Sequence, residues 1–148
     1  MSKKSFTLVE LLVVVAIISI LASALMVGLG GARKKARDAR RISDLRTVQS
    51  SLEVYYVQNN DTYPKVDGWD KLENALASIT SQLPKDPLSG GSSYDYTYCD
   101  GGQRYVMQAH LEDAKNCPAN YKAPNTTNCN TVLDCDCTGN QNYCVSFK

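Results

Sequence analysis

The chain has 148 residues, one histidine, six cysteines and a formal net charge of +1, a length for one modest domain with an appendage and not for two full cores. The lone His110 excludes metal sites built on two or three histidines and leaves little conventional acid–base machinery. Neutrality hides a division: residues 1–49 carry nine Lys/Arg against three Asp/Glu, and residues 50–148 seven against twelve, which excludes a uniform soluble globule.

The first predicted element is an apolar helix. After Met1-Ser2-Lys3-Lys4-Ser5 the apolar character begins at Phe6, and Leu11–Leu29 holds 16 apolar residues in 19 positions with no charge. Nineteen helical residues reach about 28 Å, close to a bilayer core of about 30 Å, so 6–29 is expected to be hydrophobic and transmembrane. A Sec signal peptide is the second reading, with Lys3 and Lys4 as basic region, Ala22-Ser23-Ala24 as cleavage site and Leu25 as first residue. Glu10 bears on the choice, because a carboxylate carried to the bilayer centre costs about 2.5–3.5 kcal/mol. If the chain is cut before Phe6, the new amine lies four residues from Glu10. That amine, or the one on a neighbouring parallel helix, is a partner for the carboxylate, and an intermolecular pair would set axial register. The plainer alternative is a Glu10 solvated among headgroups.

The segment Phe6-Thr7-Leu8-Val9-Glu10-Leu11-Leu12-Val13-Val14 resembles the N-terminus of type IV pilins and type II secretion pseudopilins. The resemblance implies a basic leader, residues 1–5, removed between Ser5 and Phe6 by a membrane prepilin peptidase, with Ser5 standing where the family nearly always has Gly. It further implies N-methylation of Phe6 and a docking role for Glu10 during assembly. It also implies that part of the helix unwinds in the filament, and Gly28–Gly31 is the candidate place.

Beyond the apolar half, Ile42, Leu45, Val48, Leu52 and Tyr55/Tyr56 recur at spacings of three and four, an amphipathic stripe. Together the two halves make one predicted helix over 6–58, divided as 6–29 and 30–58. Ala24, Gly28, Ala32 and Ala36 form a small-residue stripe that allows close helix approach. Arg33, Lys34, Lys35, Arg37, Arg40, Arg41 and Arg46 follow, offset by Asp38 and Asp44. Counting positive charge around the span would place the C-terminal part in the cytoplasm, whereas the cysteines point to an oxidising compartment. The cysteines decide, and an extracytoplasmic head is expected. The basic run is expected to meet headgroups or acidic neighbouring subunits. Nucleic acid through Arg33, Lys34, Lys35, Arg37, Arg40 and Arg41 is the sharper alternative.

The head is expected over 59–148. Asn59-Asn60-Asp61-Thr62-Tyr63-Pro64 stops the helix, and a Tyr-Pro at this place is similar to that of secretion pseudopilins. Within the αβ-loop region 59–93, Trp69, Leu72, Leu76, Ile79 and Leu83 predict a short helix limited by Pro84. Leu83-Pro84-Lys85-Asp86-Pro87-Leu88 resembles the Leu-Pro-x-Asp-Pro segment of major pseudopilins, with Leu88 in place of their usual Trp. Alternation of Tyr94, Tyr96 and Tyr98, and of Tyr105, Met107, Ala109 and Leu111, around Asp100-Gly101-Gly102 predicts an antiparallel hairpin over 94–112. In the Cys-rich region 113–148, Asn142–Lys148 is a candidate third strand.

Cys99, Cys117, Cys129, Cys135, Cys137 and Cys144 are expected to form three disulfides. Of the 15 connectivities open to six cysteines, those joining Cys135 to Cys137 are disfavoured by the short spacing, and the rest stay open. Asp134-Cys135-Asp136-Cys137-Thr138-Gly139 echoes the first half of a calcium loop, with Val145 where the bidentate Glu would stand. Major pseudopilins hold calcium near their C-terminus, so Asp134 and Asp136 are candidate ligands; no other cofactor is implied.

Neither a phosphate loop nor a nucleophile with its base occurs, and no enzyme is expected. The expectation is an α+β pilin fold: a long N-terminal helical spine, a small antiparallel sheet and a disulfide-stapled end. Its function is that of a structural subunit of a type IV pilus or pilus-like filament, with the type II secretion pseudopilin as alternative. Lesser alternatives are a DNA-uptake pilin and a Sec-exported disulfide-rich binding protein. The partners implied are copies of itself in a helical filament, prepilin peptidase, the assembly platform with its ATPase, and the membrane.

Overall fold

A computed structural model of the protein describes residues 6–88 and 94–147, apart from the side chains of 24–28 and 147. The expected leader with Ser5, and the side chains of Ala24 and Leu25, lie outside the described residues, as does Gly28 in the small-residue stripe. The chain divides into two compact units, Met1–Lys34 and Lys35–Lys148. The element order is α1 (Leu8–Gln58), α2 (Trp69–Ala75), β1 (Tyr94–Cys99), β2 (Arg104–His110) and β3 (Asn142–Phe147), with short 3₁₀ turns at Asp100–Gly102 and Ala114–Asn116. The α+β fold expected from the sequence is the one observed.

Helix α1 begins two residues later than the predicted start and runs unbroken through Gly30 and Gly31. In the first unit, the hydroxyls of Ser19 and Ser23 donate to the carbonyls of Val15 and Ser19, each at 2.8 Å. Each serine thereby satisfies its donor within the helix, and the surface remains apolar. The C-terminal end of α1 belongs to the second unit. There Asn60 and Asp61 take left-handed φ values of 53° and 52°, and the Asn59 and Asp61 N–H groups donate to the Tyr56 carbonyl. Asn and Asp tolerate this conformation, so helix termination is a local property of the sequence.

The head is built on the antiparallel sheet β1-β2-β3. Tyr96 pairs with Met107, which pairs with Val145, so the alternation of side chains sends Tyr94, Tyr96, Tyr105, Met107, Ala109 and Tyr143 to one face. That face buries Leu45, Val48 and Leu52 of α1 together with Tyr63, Leu72, Leu76 and Leu83. On the opposite face Cys99, Val106, Leu133 and Cys144 form a smaller cluster under the Cys-rich segment. The hairpin turn is tight: Gly102 has φ 94°, its carbonyl accepts from Tyr63 N–H at 2.8 Å, and a Cβ there would lie 2.8 Å from Thr62.

The predicted helix up to Pro84 is too long. α2 ends at Ala75 and is followed by a turn in which the Ile79 and Thr80 N–H groups donate to the Leu76 carbonyl. Leu76 and Leu83 still reach the core, so burial explains their apolar character without helical periodicity.

Candidate functional site

Two places carry the chemistry singled out by the sequence: the first turn of α1 and the basic run with its surroundings. At the first turn, the Glu10 carboxylate accepts from the Thr7 N–H at 3.0 Å and from the Thr7 hydroxyl at 2.7 Å, while the Thr7 hydroxyl accepts from Glu10 N–H at 3.3 Å. This is a capping box, legible as Thr-x-x-Glu before an apolar run, and sequence reasoning missed it. Glu10 is therefore held at the helix start by its own chain.

From Leu8 to Leu21 the large apolar side chains are between 48 and 78% exposed on every side of the helix, and a helix apolar all round must be covered by lipid or by other chains. Among the described residues, no helix is long and apolar enough to cross a membrane. The described side chains of this stretch run from Phe6 to Ser23, and Leu8–Ser23 spans only about 24 Å.

The basic run is divided by the fold. Arg41, expected at a surface, is 2% exposed and is the centre of a buried ion cluster. Its Nε and Nη2 donate to the two oxygens of Asp86 at 2.7 and 3.0 Å, and its Nη1 donates to Asp38 at 2.7 Å and to Glu112 at 3.1 Å. Arg37, one turn earlier, holds Glu112 with Nε and Nη2 at 2.5 and 2.6 Å. Asp38, fully buried, also accepts from the N–H groups of Glu112 and Asp113, at 2.9 and 3.3 Å, and from the Asn116 amide at 2.6 Å.

The cluster joins three elements: α1, the Leu-Pro-x-Asp-Pro loop through Asp86, and the segment after β2 through Glu112, Asp113 and Asn116. Buried charges persist only when paired and hydrogen-bonded, and here two guanidinium groups face three carboxylates with amide donors supplying the balance. The Arg37 and Arg41 hydrogen bonds hold the Glu112 carboxyl down at about 2. Asp86 above all pushes the Arg41 guanidinium up. A neighbouring pair, the Tyr94 hydroxyl on Asp44 at 2.7 Å, extends the polar seam, and burial together with that bond pushes the Tyr94 phenol up.

Arg37 and Arg41 are thus spent inside the molecule, which corrects their assignment to headgroups, neighbouring subunits or nucleic acid. The signal that would have found this is spacing. Arg37, Asp38 and Arg41 share one helix face at i, i+1 and i+4, continuous with the Ile42–Leu45 stripe. Arg33, Lys34, Lys35 and Arg46 are exposed. Arg40 is 65% exposed and lies 3.9 Å from Asp44, a surface pair of small weight.

The cysteines pair as Cys99–Cys129, Cys117–Cys137 and Cys135–Cys144. The first ties the end of β1 to the Cys-rich segment and the third ties that segment to β3. Asp134 and Asp136, the candidate calcium ligands, are each engaged in local hydrogen bonds. One oxygen of Asp136 accepts from Thr138 N–H, the Thr138 hydroxyl and Gly139 N–H in a local turn. Asp134 accepts from the Asn140 amide at 2.5 Å. Among the described residues, no group of three His, Cys, Asp or Glu side chains is arranged to hold a metal. A calcium shell takes six to eight oxygens, backbone carbonyls and waters among them, of which these two carboxylates would supply a part.

Residues 1–26 match the family described as the prokaryotic N-terminal methylation motif. The chain is 37% identical over 97 residues to the type II secretion system core protein G of Aeromonas hydrophila, covering 57% of this chain and 67% of that protein. It is 36% identical over 114 residues to the protein of the same name from Klebsiella michiganensis, covering 69% of this chain and 77% of the relative. Over a shorter stretch of 57 residues it is 46% identical to the type IV wide pilus major component PilA4 of Thermus thermophilus, covering 38% and 44% of the two chains. No solved structure gives a significant match.

Proposed function

The chain belongs to the family of type IV pilins and type II secretion pseudopilins, and from that premise we propose that it is a structural subunit of a pilus-like filament, of the secretion pseudopilin kind. One observation carries the choice within the family. The core protein G relatives align over as much as 77% of their length, a stretch too long to leave out the head, whereas the pilin relative aligns over 44%. The sequence by itself puts the pilus subunit first and the pseudopilin second; the relatives favour the second. The family is a structural one, and no residue of this chain is assigned to catalysis.

In this reading the subunit is stored in the membrane through its apolar helix, with the disulfide-bearing head on the oxidising side. Prepilin peptidase removes residues 1–5 and Phe6 becomes the methylated N-terminus. The assembly platform and its ATPase then lift the subunit, and the apolar surface from Leu8 to Leu21 passes from lipid to packing against copies of itself. Glu10 is held by Thr7, the residue that follows the future amine in sequence. Exchange of the Thr7 donors for the amine of a neighbouring subunit gives one axial register in which both charges are neutralised. Mass spectrometry of the processed protein is expected to find methylated Phe6 as first residue, and Glu10→Ala is expected to abolish filaments while the head's unfolding midpoint stays unchanged. A first residue at Leu25 would refute the reading. Restoration of protein export in a host lacking its own core protein G separates the pseudopilin from a pilus subunit.

A further inference from the structure

The two edges of the head sheet carry hollows of opposite charge. Beside β1, a hollow of about 310 Å³ is lined by Asp70 and Asp95 with Trp69 and Tyr94, and by Gln108 and His110 of β2; no Lys or Arg is among its lining residues. Beside β3, a groove of about 490 Å³ is lined by Arg46 and Lys122 with Tyr121 and Tyr143, and no Asp or Glu is among its lining residues. Among the described residues none of these four charged side chains has an ion-pair partner: the head's ion pairs are made by Arg37, Arg40, Arg41 and Arg104. Asp95 lies on β1 and Lys122 lines the groove beside β3, with β2 between the two strands.

We propose that the acidic β1-edge hollow of one head receives the basic β3-edge groove of a second copy, in a head-to-tail contact. Among the described residues the two patches do not pair with each other within one molecule. Used between copies they form a heterologous interface, which propagates into an open helical array when the rotation does not close. The aromatic floors, Trp69/Tyr94 and Tyr121/Tyr143, supply the apolar contact area, and the charges supply orientation and selectivity against the like-with-like arrangement. The β3 edge suits such a contact for a further reason. Tyr121 already lies across it, taking the Cys144 N–H on its hydroxyl at 3.2 Å, so the edge is occupied by a side chain and does not invite indiscriminate strand pairing.

This inference rests on the filament reading only for where the contact operates. The test is cysteine cross-linking of the full chain in membranes under mild oxidation, with Asp70→Cys and Lys122→Cys in the same chain. The expected result is a ladder of covalent multimers. In that background Arg46→Glu, which faces Asp95 across the contact, is expected to lower the ladder at least fivefold, and adding Asp95→Lys to restore it to within twofold. Trp69 fluorescence on unfolding checks that each variant retains its head fold. Absence of a ladder in a strain that makes filaments overturns the contact and leaves the filament reading standing. A ladder in a strain without filaments upholds the contact and counts against that reading. Cross-linking as strongly by Lys122→Cys alone overturns the proposal in favour of a two-fold contact.

Discussion

Replacing Arg41 by Met isolates the contribution of the buried ion cluster. The substitution preserves most of the side chain's stem and removes hydrogen bonds to three carboxylates. The loss is unequal. Asp38 keeps three donors, from Glu112, Asp113 and Asn116, and Glu112 keeps Arg37. Asp86, whose side chain is 4% exposed, loses both contacts of a bidentate pair with a guanidinium and keeps the Leu88 N–H at 2.7 Å. Leaving a buried charge without its partner costs about 3–5 kcal/mol, and the surviving donors put Arg41→Met at the lower end, about 3 kcal/mol. With a urea slope of about 1–3 kcal/mol/M for a domain of this size, the midpoint falls by roughly 1–3 M. The assay is built in, because Trp69, the single tryptophan, donates its Nε1–H to the Pro84 carbonyl at 3.2 Å, two residues from Asp86. Arg40→Met is the comparison and is expected to cost under about 0.5 kcal/mol. Adding Asp86→Leu to Arg41→Met should recover part of the loss, since the buried negative charge that has lost its guanidinium is then gone. Equal effects for Arg41→Met and Arg40→Met would refute the account of the cluster as the tie between helix and loops.

Acid provides an independent probe of the same cluster. The Glu112 carboxyl is held down at about 2 from an ordinary value of 4.5, so its contribution is fully present above about pH 4.5 and is lost as pH falls towards 2. Circular dichroism against pH should show stability declining through that window, and Glu112→Gln should remove that part of the slope while lowering stability at neutral pH. The disulfides make a third test. Peptide mapping without reduction is expected to recover the three observed pairs, and replacing Cys99 and Cys129 by Ala, a bridge across 30 residues, should cost about 3–4 kcal/mol in thermal unfolding.

Much of this protein is written locally. The start of α1 is specified by Thr7 and Glu10, its end by Asn60 and Asp61, and the strands by the alternation of tyrosines with polar residues, because caps, turns and period-two patterns depend on neighbours a few positions away. The family resemblance is also carried by a short contiguous segment, Phe6–Val14, for the same reason. The burial of Arg41 and the pairing of the cysteines are of another kind. Both depend on which distant segments the fold sets side by side: Asp86 is 45 residues from Arg41 and Glu112 is 71. A basic side chain on a helix has the same local signature whether its carboxylate partners are on another subunit or on its own loops. The opening division of charge is sharpened accordingly. Part of the basic run cancels against the acidic head within the second unit, and Arg46, Lys122, Asp70 and Asp95 are left without ion-pair partners among the described residues, the charges on which the proposed contact between copies rests.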